Sequence, residues 1–215
     1  MGALQLSLIM SANDRSSPVL DGSIQPDGID LICTTAHPSE IFWRQLHFQE
    51  FDVSEMSLSS LLMAVALLYL TSNNLVDRSR VDLEGNPAFH LLFPDPIAEG
   101  QRYYRKTGIF PINHGMVVRR STYEQHPWVT LNLFNAFRQA KEKVAARTRE
   151  LVSTHLELGL LGPDAGQALR VDPYPYGVRS NQKVLETVAQ YSYKQGLTPR
   201  LMRMDEIFAP STLDL

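Results

Sequence analysis

An α/β fold, with a mainly parallel sheet flanked by helices, is predicted by three observations. Leu4, Leu6 and Leu8 alternate with polar or small residues, the period of a half-buried strand. Ile29 to Thr34 forms a second apolar run, and Phe51 to Glu55 a third. Between the last two, Glu40 to Gln49 places Ile41, Phe42 and Leu46 on one helical face. A strand, a helix and a strand in that order favour parallel pairing through a right-handed crossover, and such sheets collect ligands beyond the carboxyl ends of their strands.

Each element has a local cause. Asp21-Gly22 and Pro26-Asp-Gly28 supply turns between the first two strands, and Pro38-Ser39 starts the helix that follows. Leu61 to Leu70 is too short an apolar run to span a bilayer, which needs roughly 20 residues, and reads as a buried helix. Thr71-Ser-Asn-Asn74 and Asp77-Arg-Ser-Arg80 lack periodicity, and Glu84-Gly-Asn-Pro87 reads as a turn. Structure resumes with Phe110–Arg120, where Met116 to Val118 is strand-like and Ser121 is placed to cap a helix. Pro127 then opens a long helix with Leu131, Phe134, Phe137, Ala140 and Val144 on one face. Asn181 opens another, through Val184, Leu185 and Val188 to Gly196.

The bulk composition narrows the partners. The 215 residues are 44% hydrophobic and 20% charged, with a formal charge of −3. No basic surplus is present to hold nucleic acid or an anionic membrane, so neither is an expected partner. The stretch Met1–Met10 lacks a basic start and a cleavage-like site, so it reads as a strand and not as a signal peptide, and a cytoplasmic location is expected. The lone Cys33 lies in an apolar run with no neighbouring charge to stabilise a thiolate, and is read as a structural thiol. His37, His47, His90, His126 and His155 share no metal-ligand spacing with Cys33 or one another, and no metal site is expected.

Four groups of residues offer chemistry. Phe51 to Ser60 is a strand running into a hydroxyl-rich helix start, where Ser57, Ser59 and Ser60 place hydroxyls and backbone N–H groups for a carboxylate. The loop Ser11 to Pro18 sets Asp14 beside Arg15, either a planar carboxylate clamp or an ion pair that organises a turn. His114, at an apolar strand start, suits proton transfer near neutrality or is a satisfied structural histidine. Asp172-Pro-Tyr-Pro-Tyr-Gly177 is a stiff turn whose Tyr174 and Tyr176 either wall a planar ligand or pack a corner.

Taken together, Glu40-Ile-Phe-Trp-Arg44, Glu50 to Ser60, Thr107 to His114, His126-Pro-Trp128 and Asp172 to Gly177 resemble the 4,5-dihydroxyphthalate decarboxylases. That family is similar in fold to type 2 periplasmic solute-binding proteins. The resemblance covers residues 1 to about 63 and about 85 to 215. Its members cross to a complete second lobe where this chain has only Ala64 to Leu83. The expected organisation is a single α/β lobe assembled from 1–70 and 85–215, with 71–84 as a short connection and the second lobe truncated or absent.

The resemblance implies conversion of 4,5-dihydroxyphthalate to 3,4-dihydroxybenzoate and carbon dioxide, without an organic cofactor. It implies His114 as proton donor and Asp14 as partner of a catechol hydroxyl. Arg15, Ser57 and Ser59 would hold the carboxylates of a small aromatic dicarboxylate, and Tyr174 and Tyr176 would flank its ring. The competing readings are a non-enzymatic solute-binding protein for a small carboxylate and an inactive shortened homologue, which would fold poorly or oligomerise to cover the apolar face a second lobe would have buried.

Overall fold

The structure, a computed structural model, describes residues 2–58, 61, 93 and 95–215. Ser59, Ser60, the apolar run after Leu61, the connection at 71–84 and the turn at Glu84–Pro87 therefore lie outside the described residues.

Four strands form one sheet: β1 (Leu4–Met10), β2 (Ile29–Thr35), β3 (Val53–Ser57) and β4 (His114–Val118), in the order β2-β1-β3-β4. β1 runs parallel to β2, from Leu4 opposite Ile29 to Met10 opposite Thr35, and parallel to β3 through Leu8 opposite Val53. β4 is antiparallel to β3, with Ser57 opposite His114. The carboxyl ends of β1 and β3 and the start of β4 consequently share one edge of the sheet.

Helices cover both faces. On one, Leu6, Leu8, Met10, Ile29 and Val53 pack with Val19 of α1 (Ser17–Leu20) and with the long helix Val129–Glu157. On the other, Ile9 and Met56 pack with Ile41 and Phe42 of α2 (Pro38–Phe48) and with Phe51. Pro38 opens α2 as expected, and His37 caps it by accepting from the Ser39 N–H. The α2–β3 connection is held by Gln45, whose side chain both donates to the Phe51 carbonyl and accepts from its N–H. A third cluster joins Leu58 to Val178 and Leu185.

Helices α3 (Pro96–Thr107) and α4 (Arg120–Gln125) precede the long helix α5 (Val129–Glu157), and α6 (Pro163–Ala168), α7 (Gln182–Lys194) and α8 (Met204–Ile207) follow it. Several expectations need correction. β3 extends through Ser57, so Ser57 is a strand residue paired with β4 and not part of a helical turn. α3 is a full helix with no buried residue, so it lacks the apolar stripe that announces a helix. α5 buries Val129, Leu133, Ala136, Phe137 and Ala140 and leaves Leu131 exposed, a rotation of the expected face. α4 starts at Arg120, so Ser121 lies within its first turn. Cys33 is half-buried, and burial pushes its thiol up, away from the thiolate. Among the described residues no helix is long and apolar enough to cross a membrane.

At the opposite edge of the sheet Asp52 staples β1 to β3. Its Oδ2 accepts from the Ser7 N–H at 3.0 Å and the Ser7 hydroxyl at 2.8 Å, and Arg119 stands 3.3 Å from Oδ1. Burial opposes ionisation, but the Ser7 donors, Arg119 and Thr122 outweigh it and hold the carboxyl below its ordinary value. A depressed folded value means that this stabilisation is present above the ordinary carboxylate range and is lost as pH falls through the folded value. Asp52→Ala should therefore cost about 1–3 kcal/mol at neutral pH by leaving the Ser7 N–H unpaired. In urea titrations at stepped pH the difference should shrink in acid, whereas a pH-independent difference would assign the loss to packing.

Candidate active site

The site begins with a carboxylate in the sheet. Glu55 lies in β3, between β1 and β4, and is only 7% exposed. An ionised carboxylate so placed needs donors on both oxygens. Oε2 accepts from the N–H and the hydroxyl of Ser11, each at 2.6 Å, just past the end of β1. Oε1 stands 2.6 Å from Nδ1 of His114, the first residue of β4. The His114 side chain keeps 34% of its surface exposed and meets the Phe42 ring edge-on at 5.1 Å. A carboxylate only accepts, so this contact calls for the donor at Nδ1 and leaves Nε2 turned away from Glu55.

A second group of side chains gathers around Arg15. Its guanidinium lies 4.1 Å over the Tyr174 ring, and its charge acts on the Tyr176 phenol. Burial pushes the Tyr176 phenol up, against the pull of Arg15, so the hydroxyl stays protonated near neutrality. Arg15 Nε is buried and has no hydrogen-bond partner among the described residues, a donor oriented by its stacking but unsatisfied. Tyr174 also meets Phe110 edge-on at 5.2 Å. Lys141 of α5, 15% exposed, holds the turn: Nζ donates to the Asp172 carboxylate and to the Tyr174 carbonyl, and lies 4.5 Å over the Tyr176 ring.

Two short segments join the groups. Ser11 touches Glu55 and Arg15 touches both tyrosines, while Phe110 touches Tyr174 and His114 touches Glu55. Four residues of extended chain reach no more than about 14 Å, so both groups occupy one stretch of the sheet edge. The structure thus brings Arg15, Tyr174 and Tyr176 into contact, and pairs His114 with Ser57 across the strands. Ser59 lies outside the described residues. Asp14, expected to meet a substrate hydroxyl, is exposed, its carbonyl accepting from the Ser17 hydroxyl, and the carboxylate on His114 is Glu55.

Glu55 and Lys141 were missed by sequence reasoning. Glu55 carried a signal, an acidic residue at an inward position of an apolar strand, whereas Lys141 looks like any exposed helix lysine. Two concavities, of about 240 Å³ beside Val19, Leu31 and Cys33 and about 890 Å³ beside Val178, Ala189 and Met202, have none of these site residues in their walls. Among the described residues no three His, Cys, Asp or Glu side chains converge as metal ligands.

The fold defines the class first. It is a mixed α/β architecture similar to a solved ABC transporter from Parabacteroides distasonis, with a TM-score of 0.52 and 10% identity over 98% of this chain and 100% of that one. No family model matches the chain. Among curated proteins it is similar to the 4,5-dihydroxyphthalate decarboxylase of Comamonas testosteroni, 22% identical over 326 residues that take in all of this chain and 99% of that protein. It is also similar to the 4,5-dihydroxyphthalate decarboxylase of Pseudomonas putida, 40% identical over 60 residues, or 28% of this chain and 23% of that protein. These matches support the resemblance carried by the motifs. The first alignment is much longer than the 215 residues of this chain, so a large part of that relative faces a gap.

The role of Lys141 can be checked on stability. Lys141→Met keeps the stem and removes the three donors, and should lower the unfolding free energy by about 1.5–3 kcal/mol in urea titration, the range for hydrogen bonds to a charged group. An unchanged midpoint would show that the prolines hold the tyrosine turn without it.

Proposed function

We propose that the chain is a carboxy-lyase that removes one carboxylate from a small aromatic dicarboxylate, with 4,5-dihydroxyphthalate as substrate and 3,4-dihydroxybenzoate and carbon dioxide as products. The observation that carries this reading is His114, held at Nδ1 by buried Glu55, on the same sheet edge as Arg15 stacked on Tyr174. The two curated relatives support the reaction class. The fold neighbour supports a ligand-binding architecture like that of type 2 periplasmic solute-binding proteins.

The chemistry suits such an edge. A hydroxyl para to the departing carboxylate pushes electron density to the ring carbon that carries it. An imidazolium at His114 gives that carbon a proton from Nε2, the nitrogen turned away from Glu55. The bond to the carboxylate then breaks, its electron pair restores the aromatic ring, and carbon dioxide leaves. Asp14 takes the hydroxyl proton and returns it afterwards, so the ring itself serves as the electron sink. Arg15, with Ser57 and Ser59, holds the carboxylates, and Tyr174 and Tyr176 flank the ring. One α/β lobe, with 71–84 standing where relatives cross to a second, completes the reading.

A proton NMR time course of 4,5-dihydroxyphthalate, with protein and without, tests it. Signals of 3,4-dihydroxybenzoate should grow in proportion to protein, and His114→Ala should slow them by about 10²–10⁴-fold. Arg15→Ala should instead weaken substrate binding by about 2–5 kcal/mol, read as a raised KM. Unchanged substrate with broadened lines would replace the enzyme by a binding protein, and sharp unchanged lines would remove both.

A further inference from the structure

We propose that Glu55 is the positioning residue of this edge, fixing His114 as the Nδ1–H tautomer and so presenting Nε2 to the substrate. The proposal rests on His114 as the proton-transfer group but is carried by geometry of its own. Glu55 divides its oxygens: Oε2 serves Ser11 alone, through two donors at 2.6 Å, and Oε1 serves His114 alone. A backbone N–H only donates, and that of Ser11 directly follows the last residue of β1, so the carboxylate is oriented independently of the histidine. Nε2 of His114 has no hydrogen-bond partner among the described residues, and the ring is steered at its other side by Phe42. A histidine serving only to fill the core would not keep a third of its side chain exposed.

The arrangement makes a sharp statement about Glu55→Gln, which differs from the parent by one NH₂ for one oxygen. The amide has a single acceptor, and the fixed Ser11 N–H claims it, because two donors at that distance would leave a buried N–H unpaired. The NH₂ then faces His114 Nδ1, which has to accept. The neutral imidazole's proton moves to Nε2, and with Nδ1 held as an acceptor the ring is not supported as the imidazolium that donates from Nε2, for which a neutral N–H is too weak an acid to substitute.

Multiple-bond ¹⁵N–¹H spectra of histidine-labelled protein, at a pH where the imidazole is neutral, read the tautomer without any substrate. The wild type should show the His114 proton on Nδ1 and E55Q should show it on Nε2. With 4,5-dihydroxyphthalate, E55Q should lose about 10²–10⁴-fold in kcat with KM within about threefold, and Glu55→Asp should restore the Nδ1–H pattern and part of kcat. A wild-type proton on Nε2, decisive even if E55Q does not fold, overturns the proposal, as does an inverted tautomer with kcat unchanged. The expected tautomer change between wild type and E55Q, in a protein that never turns over the diacid, would remove the decarboxylase reading and leave the positioning role standing.

Discussion

A carboxylate inside a sheet must find donors on both sides, and the candidate site follows from how Glu55 does so. Its strand lies between β1 and β4, so the donors have to come from the neighbouring strands or from the loops that leave them. Ser11 comes from the end of β1 and His114 from the start of β4. Three segments far apart in sequence are thereby tied at one point, and Arg15 is carried to the edge four residues beyond the tie.

The direction of β4 matters as much as its residues. β1 and β3 run parallel, which is what the βαβ pattern dictates and what puts both carboxyl ends at one edge. β4 enters antiparallel, so its first residue and not its last reaches that edge. A parallel β4 would deliver Val118 there and leave His114 among the strand starts. At those starts Asp52 gathers Ser7, Arg119 and Thr122, a carboxylate with the same need for donors but a structural result. Asp52, just before β3, and Glu55 within it, three residues apart, thus hold opposite ends of the sheet.

This division explains what was legible in the sequence. β1, β2 and α2 were legible because their apolar periods are local and their turns carry Gly or Pro. The end of β3 was not, because Ser57 looks like a helix start until β4 pairs with it, and that pairing joins residues 57 and 114. α3 was missed although Asp95 caps it, Pro96 opens it and Gly108 closes it in a left-handed conformation, since it offers no apolar stripe. Arg15 and the two tyrosines were each singled out, but their mutual contact spans the chain, and so does the contact of Lys141 with the turn. Residue types announced the chemistry, whereas the partners that aim it are set by topology.

The same tie couples the two halves of the site. Asn13 turns the loop by bonding the Ser16 N–H, so the chain between Ser11 and Arg15 is a braced span and not a tether. At one end it is held by the carboxylate that orients His114, and at the other by a guanidinium packed on Tyr174 and set near Tyr176. The segment Phe110–His114 repeats the connection from the other side, through Tyr174 and Glu55. Displacing the tyrosine turn therefore strains the loop that aligns the acid, and loosening Glu55 lets the clamp drift. Residues that share partners in this way do not contribute independently, so proton delivery and carboxylate binding at this edge belong to one unit.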